Sequence, residues 1–210
     1  SIDEAFLNIS KEKKNLLEYG SKIRTKIKQC IGIPVSVGIG KTKTLAKLAN
    51  EFAKKGITPN GVYVIHKLEN EKMPLKNIAL EDIWGIGSRI GQKIRNMNIK
   101  TIPELMSLKQ EEIRKRFNVN TQRTILELHG IKCINLEHTF KKKKSICVSR
   151  SFKKQISCIK KTEEALTNYI TNAAEKLRKN KLLATTIVIF LHTNPFRKSD
   201  PQHHESLIYH

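Results

Sequence analysis

Between residues 35 and 65 the hydrophobic period changes twice, and that alternation limits the fold more than any other feature of the chain. Val35, Val37 and Ile39 alternate with small residues, which is the two-residue repeat of a strand. After Gly40, apolar residues recur three and four positions apart at Leu45, Leu48 and Phe52, with Ala46, Ala49 and Ala53 alongside. That spacing puts them on one side of a helix. Gly56, Pro59 and Gly61 interrupt it, and residues 62–65 return to a strand. Before this unit, Leu16, Tyr19, Ile23, Ile27 and Cys30 mark an amphipathic helix ended by Gly32 and Pro34, and residues 1–6 read as a strand end. Strands alternating with helices predict an α/β architecture.

From residue 74 to 130 the pattern is helical and the elements are short. Thr101, Pro103 and Glu104 form a capping box with proline in the first turn. Thr121 reads as the cap of a helix stopped by Gly130. Lys141 to Lys144 is a run of like charges that repels and extends, so residues 131–144 read as a linker. A second α/β unit follows. It comprises a strand over 146–152, a helix with Leu166, Ile170, Ala173 and Leu177 on one face, and a β-branched strand over 185–193. One strand, one helix and one strand cannot easily cover both faces, so the unit is expected to continue past residue 210. The chain opens on Ser rather than Met, directly into apolar sequence, so it is expected to begin inside a larger protein. His203, His204 and His210 fall in a polar tail without carboxylate or cysteine at ligand spacing, and are read as unstructured and solvated.

With 40 Lys and Arg against 19 Asp and Glu, the formal net charge is +21. A polyanionic partner, nucleic acid first, is implied. Lys outnumbers Arg, which suits contact with phosphates better than base reading. Aromatic residues are only 6% of the chain, which argues against a base-stacking sheet. The four cysteines, Cys30, Cys133, Cys147 and Cys158, form no C-x-x-C pair. They read as buried thiols of a cytoplasmic protein. The longest apolar stretch, residues 182–191, is too short to span a bilayer.

Gly85-Ile86-Gly87 lies between two short apolar-periodic helices, the helix-hairpin-helix pattern. Its glycines permit a tight turn, and the N–H groups opening the second helix can hold a phosphate. Ser88, Arg89 and Lys93 add donors and charge there, and Gly91 is small where the helices pack. Gly38-Ile39-Gly40-Lys41-Thr42 looks like a P-loop, but Val35 stands where the motif needs its first glycine. Asp3 and Glu4 could hold Mg2+ against a triphosphate. Neighbours on a regular strand point to opposite faces, however, so both reach one site only if the strand bends or ends there.

Taken in order, these pieces resemble the Y-family DNA polymerases, and closer to the UmuC type, the catalytic subunit of DNA polymerase V, than to the DinB branch. SIDEAF at residues 1–6 is similar to the family's second catalytic motif. VSVGIGKTKTLAKLAN at 35–50 and FAKK at 52–55 resemble the rest of the palm. IWGIG at 83–87 resembles the thumb, and VSRSF at 148–152 the start of the little finger. The resemblance implies an α/β fold made of a partial palm over 1–73, an all-helical helix-hairpin-helix thumb over 74–130, the linker, and a partial α/β little finger over 145–210. It implies that Asp3 and Glu4 are catalytic and bind metal, and that Lys54 contacts the incoming triphosphate. Gly85, Gly87, Ser88, Arg89, Lys93, Ser149, Arg150 and Ser151 would lie along DNA.

The implied reaction is error-prone addition of deoxynucleotides opposite damaged template DNA, with two Mg2+ ions in the intact enzyme. Primer–template DNA, dNTPs, a UmuD-type accessory subunit and RecA are the implied partners. The family's first metal aspartate, its fingers and its nucleotide-gating aromatic have no counterpart here, so this stretch alone is expected to be inactive. A non-enzymatic helix-hairpin-helix DNA-binding protein is the alternative. A hairpin-containing glycosylase would need an aspartate soon after the hairpin, and none occurs between Asp82 and Asp200.

Overall fold

The computed structural model describes residues 3–9, 15–71, 75, 78–136, 144–197 and 199–210. They form two units, Ser1–His138 and Thr139–His210.

In the first unit, helix α1 (Leu16–Ile31) starts where the Asn15 side chain accepts from the Leu17 and Glu18 N–H groups, and ends at Gly32. Strand β1 (Val37–Gly40) pairs in parallel with β2 (Val62–Ile65), Val37 opposite Val62 and Gly40 opposite Ile65. Helix α2 (Lys43–Lys54) makes the crossover and buries Leu45, Leu48, Ala49, Phe52 and Ala53, the face expected from their spacing. The glycines that imitate a P-loop serve this packing. A Cβ on Gly38 would lie 2.1 Å from the Asn50 nitrogen and 2.2 Å from the Ala46 oxygen, both backbone atoms of α2. The helix therefore rests directly on the strand.

Short helices follow, among them α3 (Ser88–Arg95), α4 (Ile102–Met106), α5 (Gln110–Arg116) and α6 (Val119–Leu128). The capping box is present. Thr101 Oγ1 accepts from the Glu104 N–H, and Glu104 Oε2 accepts from the Thr101 N–H. Leu45, Phe52 and Ile65 share one buried cluster with Ile83, Ile86, Ile94, Ile102, Leu105, Ile113, Ile125 and Leu128, so the helices extend the core of the α/β segment.

Three expectations for this unit are corrected. Residues 4–9 have no regular secondary structure, since β1 and β2 pair only with each other among the described residues. The cap of α6 is Asn118, whose Oδ1 accepts from the Thr121 N–H at 2.9 Å; Thr121 lies inside the helix and is buried. Cys30 is exposed, because α1 buries only Gly20. Of the expected linker, residues 137–143 lie outside the described residues.

The second unit contains helix α7 (Ile159–Lys179) and strands β3 (Ile187–His192) and β4 (His204–Tyr209), antiparallel with Ile187 opposite Tyr209. None of its described residues is buried, which leaves Cys147 and Cys158 exposed, against expectation. The expected strand over 146–152 does not form; its backbone has no partner strand among the described residues. The expected unstructured tail is β4. Leu207, Ile208 and Tyr209 carry strand preference that the neighbouring histidines hide, and the edge of β3 supplies their backbone partners. His203, His204 and His210 are nonetheless exposed, with the His204 ring stacked 6.1 Å from that of His192.

Candidate active site and nucleic-acid interface

The hairpin begins where Asp82 closes a turn. Its Oδ2 accepts from the Ala79 N–H at 3.1 Å and from the Lys55 ammonium at 2.7 Å. The Lys55 hydrogen bond, opposed by burial and assisted by the Ala79 N–H, holds the Asp82 carboxyl below the usual aspartate range. Gly85 takes φ +90°, and the Ile86 N–H donates to the Ile83 oxygen at 2.9 Å to make the tight turn. Gly87 is the N-cap of α3, with extended backbone at φ −87° and no side-chain cap for the helix. Nothing lies within 4 Å of where its Cβ would be. Neither dihedrals nor packing inside the chain demand glycine at this position. The first N–H groups of a helix have no partner within it, and here they open beside exposed Ser88 and Arg89. Lys93 points elsewhere: its ammonium donates to the Arg116 carbonyl and sits 5.3 Å from the Phe117 ring centre.

Asp3 and Glu4 lie on the irregular segment, so the strand alternation that would part them does not apply. Both Glu4 oxygens accept from the Lys47 ammonium at 2.8 Å. The Phe6 ring lies 5.7 Å from that of Trp84, which directly precedes the hairpin glycines. The Lys43 ammonium is 5.1 Å from the Phe6 ring centre, and that of Lys47 is 5.9 Å from the Trp84 ring centre. The carboxylate segment is thus fastened to α2 on one side and to the hairpin on the other. Lys54, the last residue of α2, lies two turns beyond Lys47 on the same face, about 10 Å along the axis. Its ammonium is 3.2 Å from Glu51.

Two adjacent hard-oxygen donors fit a Mg2+-type cation, which commonly takes one or two carboxylates and completes its shell with water and phosphate. Among the described residues, no group of three or more His, Cys, Asp or Glu side chains gathers into a metal cage. Sequence reasoning picked out Asp3, Glu4 and Lys54 but missed Lys43, Lys47, Phe6 and Trp84. The signal for the lysines was available: Lys43, Lys47 and Lys54 recur four and seven apart, on one face of α2.

Glu127 was also missed. It is fully buried. Its Oε2 accepts from the Thr44 N–H at 2.9 Å and the Thr44 hydroxyl at 2.8 Å. Its Oε1 accepts from the Cys133 and Ile134 N–H groups at 3.2 and 2.9 Å. The Thr42 hydroxyl donates to its backbone oxygen at 2.8 Å. This carboxylate pins the lysine-bearing end of α2 to α6 and to residues 133–134. Burial, then the Glu127 charge, pushes the Cys133 thiol up from its ordinary value.

Ser149, Arg150 and Ser151 belong to the second unit. They are exposed on irregular backbone, with the Arg150 guanidinium donating to the Ser149 oxygen at 3.0 Å. No helix among the described residues is long and apolar enough to cross a membrane.

Two family models match the chain. The impB/mucB/samB family matches residues 1–51, and the impB/mucB/samB family C-terminal domain matches residues 143–207. Protein UmuC of Salmonella typhimurium is 37% identical over 209 residues, covering 98% of this chain and 50% of UmuC. Protein SamB of the same organism is 36% identical over 206 residues, covering 96% of this chain and 48% of SamB. The chain spans about half the length of the curated relatives it matches. A solved Y-family DNA polymerase chimera has the same fold, with a TM-score of 0.62 and 22% identity, covering all of this chain and 58% of its own. Both family models in their proper order, with relatives aligned along nearly the whole sequence, show that the chain belongs to the impB/mucB/samB family.

Proposed function

We propose that the chain serves template-directed addition of deoxynucleotides to a primer, opposite damaged template bases, as in an error-prone translesion polymerase. Residues 1–73 act as part of the palm, 74–130 as the thumb and 145–210 as part of the little finger. Asp3 and Glu4 hold Mg2+, which when bound supplies positive charge to the transferring phosphate. Glu4 helps position the primer 3′ end, and Lys54 meets the charge of the incoming dNTP. The hairpin N–H groups, with Ser88 and Arg89 beside them, take a DNA phosphate without reading sequence, and Lys93 adds positive charge behind them. Ser149, Arg150 and Ser151 follow the DNA backbone. A UmuD-type subunit and RecA are the partner proteins, and the cytoplasm is the working compartment.

One observation supports this reading above the others. The carboxylate segment and the hairpin meet through Phe6 and Trp84, so the residues this reading assigns to metal and to phosphate lie in one corner of the first unit. The alternative, a DNA-binding protein without catalysis, leaves Asp3 and Glu4 without a role.

The test separates binding from chemistry. Gly87→Val meets no atom within 4 Å of its Cβ, so it should fold, with its melting temperature lowered only slightly by the poorer N-cap. Its affinity for several unrelated primer–template duplexes, read by fluorescence anisotropy, should fall similarly for all of them. In the polymerase carrying this chain, Asp3→Ala should abolish primer extension and leave DNA affinity within about twofold of wild type. Wild-type affinity in folded Gly87→Val would remove the phosphate role of the hairpin. Undiminished extension by Asp3→Ala would remove the metal role.

A further inference from the structure

The irregular segment carrying Asp3 and Glu4 has no ladder of its own, so what holds Glu4 in place is what it touches. That partner is Lys47, whose single ammonium lies 2.8 Å from both carboxylate oxygens. The two side chains are 21% and 32% exposed, so water screens the pair only in part. Lys47 itself stands on firm ground. The next turn of α2 buries Leu48 and Ala49, and the backbone around Ala46 rests on Gly40 of β1. The Trp84 ring lies close to the same ammonium.

We propose that Lys47 is the positioning residue of Glu4: its ammonium fixes the carboxylate and, as a resident positive charge, sets how tightly Asp3 and Glu4 take a divalent cation. The inference rests on the reading of those two residues as a metal site. A divalent ion arriving at Glu4 must share the carboxylate with a charge of like sign a few ångströms away, and that repulsion opposes binding. Removing the charge also frees Glu4 from an existing partner. Both effects tighten cation binding, and they outweigh the added freedom of one glutamate side chain.

The probe is Mn2+ alone, titrated at fixed ionic strength and followed by the electron paramagnetic resonance of the free ion. Emission of Trp84, the one tryptophan of the chain, is read in parallel. Lys47→Met keeps the apolar stem and the helix, and should bind Mn2+ about three- to tenfold more tightly than wild type. Lys47→Arg keeps the charge and should behave as wild type. The gain should vanish when Lys47→Met is combined with Glu4→Gln, which a general effect of net charge would not produce. Lys47→Met and Glu4→Gln should each shift Trp84 emission, while melting temperatures stay near wild type. Lys47→Gln replaces Lys47→Met if the latter melts early.

Mn2+ binding that depends on Glu4 but is unchanged or weaker in Lys47→Met overturns the role of Lys47 and leaves the metal reading standing. No Glu4-dependent Mn2+ binding in any variant removes the metal reading, and the proposal with it. Trp84 emission indifferent to both substitutions shows that the pair does not hold the segment, and overturns the proposal by itself.

Discussion

A fully buried carboxylate is tolerable when donors surround it, and Glu127 has two for each oxygen. Replacing it tests how much the first unit depends on this one group. Glu127→Ala strands the Thr44, Cys133 and Ile134 N–H groups together, and should cost about 3 kcal/mol in urea unfolding. Glu127→Gln should cost nearly as much. Its amide nitrogen must face one of the two donor pairs, donor against donor. A loss below about 1 kcal/mol in Glu127→Gln would mean the pocket rearranges to accept it. No sequence pattern discloses this residue. Thr44 lies 83 positions away, and a glutamate between two leucines of an amphipathic helix reads as a solvated side chain. Gly87 was legible as a hairpin glycine. Only the structure shows that the chain itself leaves its surroundings open.

Elements formed where their reasons are local. The apolar stripe of α2 and the Thr101 capping box appear as read, because each depends on residues within a few positions. The strands expected over 1–6 and 146–152 do not appear among the described residues, because a strand needs a neighbour and the neighbour is not a local property. The tail failed in the opposite direction, since β3 offered an edge that composition did not reveal. The link between α2 and the hairpin has a pH dependence of known sign. Lys55 and the Ala79 N–H keep the folded Asp82 carboxyl below its unfolded value. Its stabilisation is therefore complete above the unfolded pKa, near 4, and is lost as pH falls through the lower folded value. Both partners are about one-third exposed, so the pair contributes only about 0.5 kcal/mol. Asp82→Asn should lower the melting temperature slightly at pH 7, and the gap should narrow progressively as the pH falls below the unfolded value and through the lower folded one. A gap that widens on acidification would contradict this sign.

Across the whole molecule, the charge of +21 makes any DNA affinity dependent on salt. Log affinity should fall linearly with log salt for unrelated duplexes alike. Arg89→Ala should reduce the slope by about one if its guanidinium meets one phosphate. Lys93→Ala should reduce it by less, since that ammonium is already bonded to the Arg116 carbonyl. Equal reductions would show that Lys93 leaves its carbonyl for DNA. The chain divides into the units Ser1–His138 and Thr139–His210, a few residues before the lysine run at 141–144 whose like charges suggested a linker.

The second unit has secondary structure without a buried residue among those described. Backbone hydrogen bonds break and reform, and how seldom an amide is caught open depends on what packs over it. The amides of α2 around Leu48 and Phe52 sit under a closed core and trade their protons for deuterons only when the first unit opens widely. Those of β3 and β4 have ladder partners but, among the described residues, no buried side chain to cover them, so they exchange largely on local fraying. Within one polypeptide, the first unit keeps time by cooperative opening and the second by the breathing of single bonds.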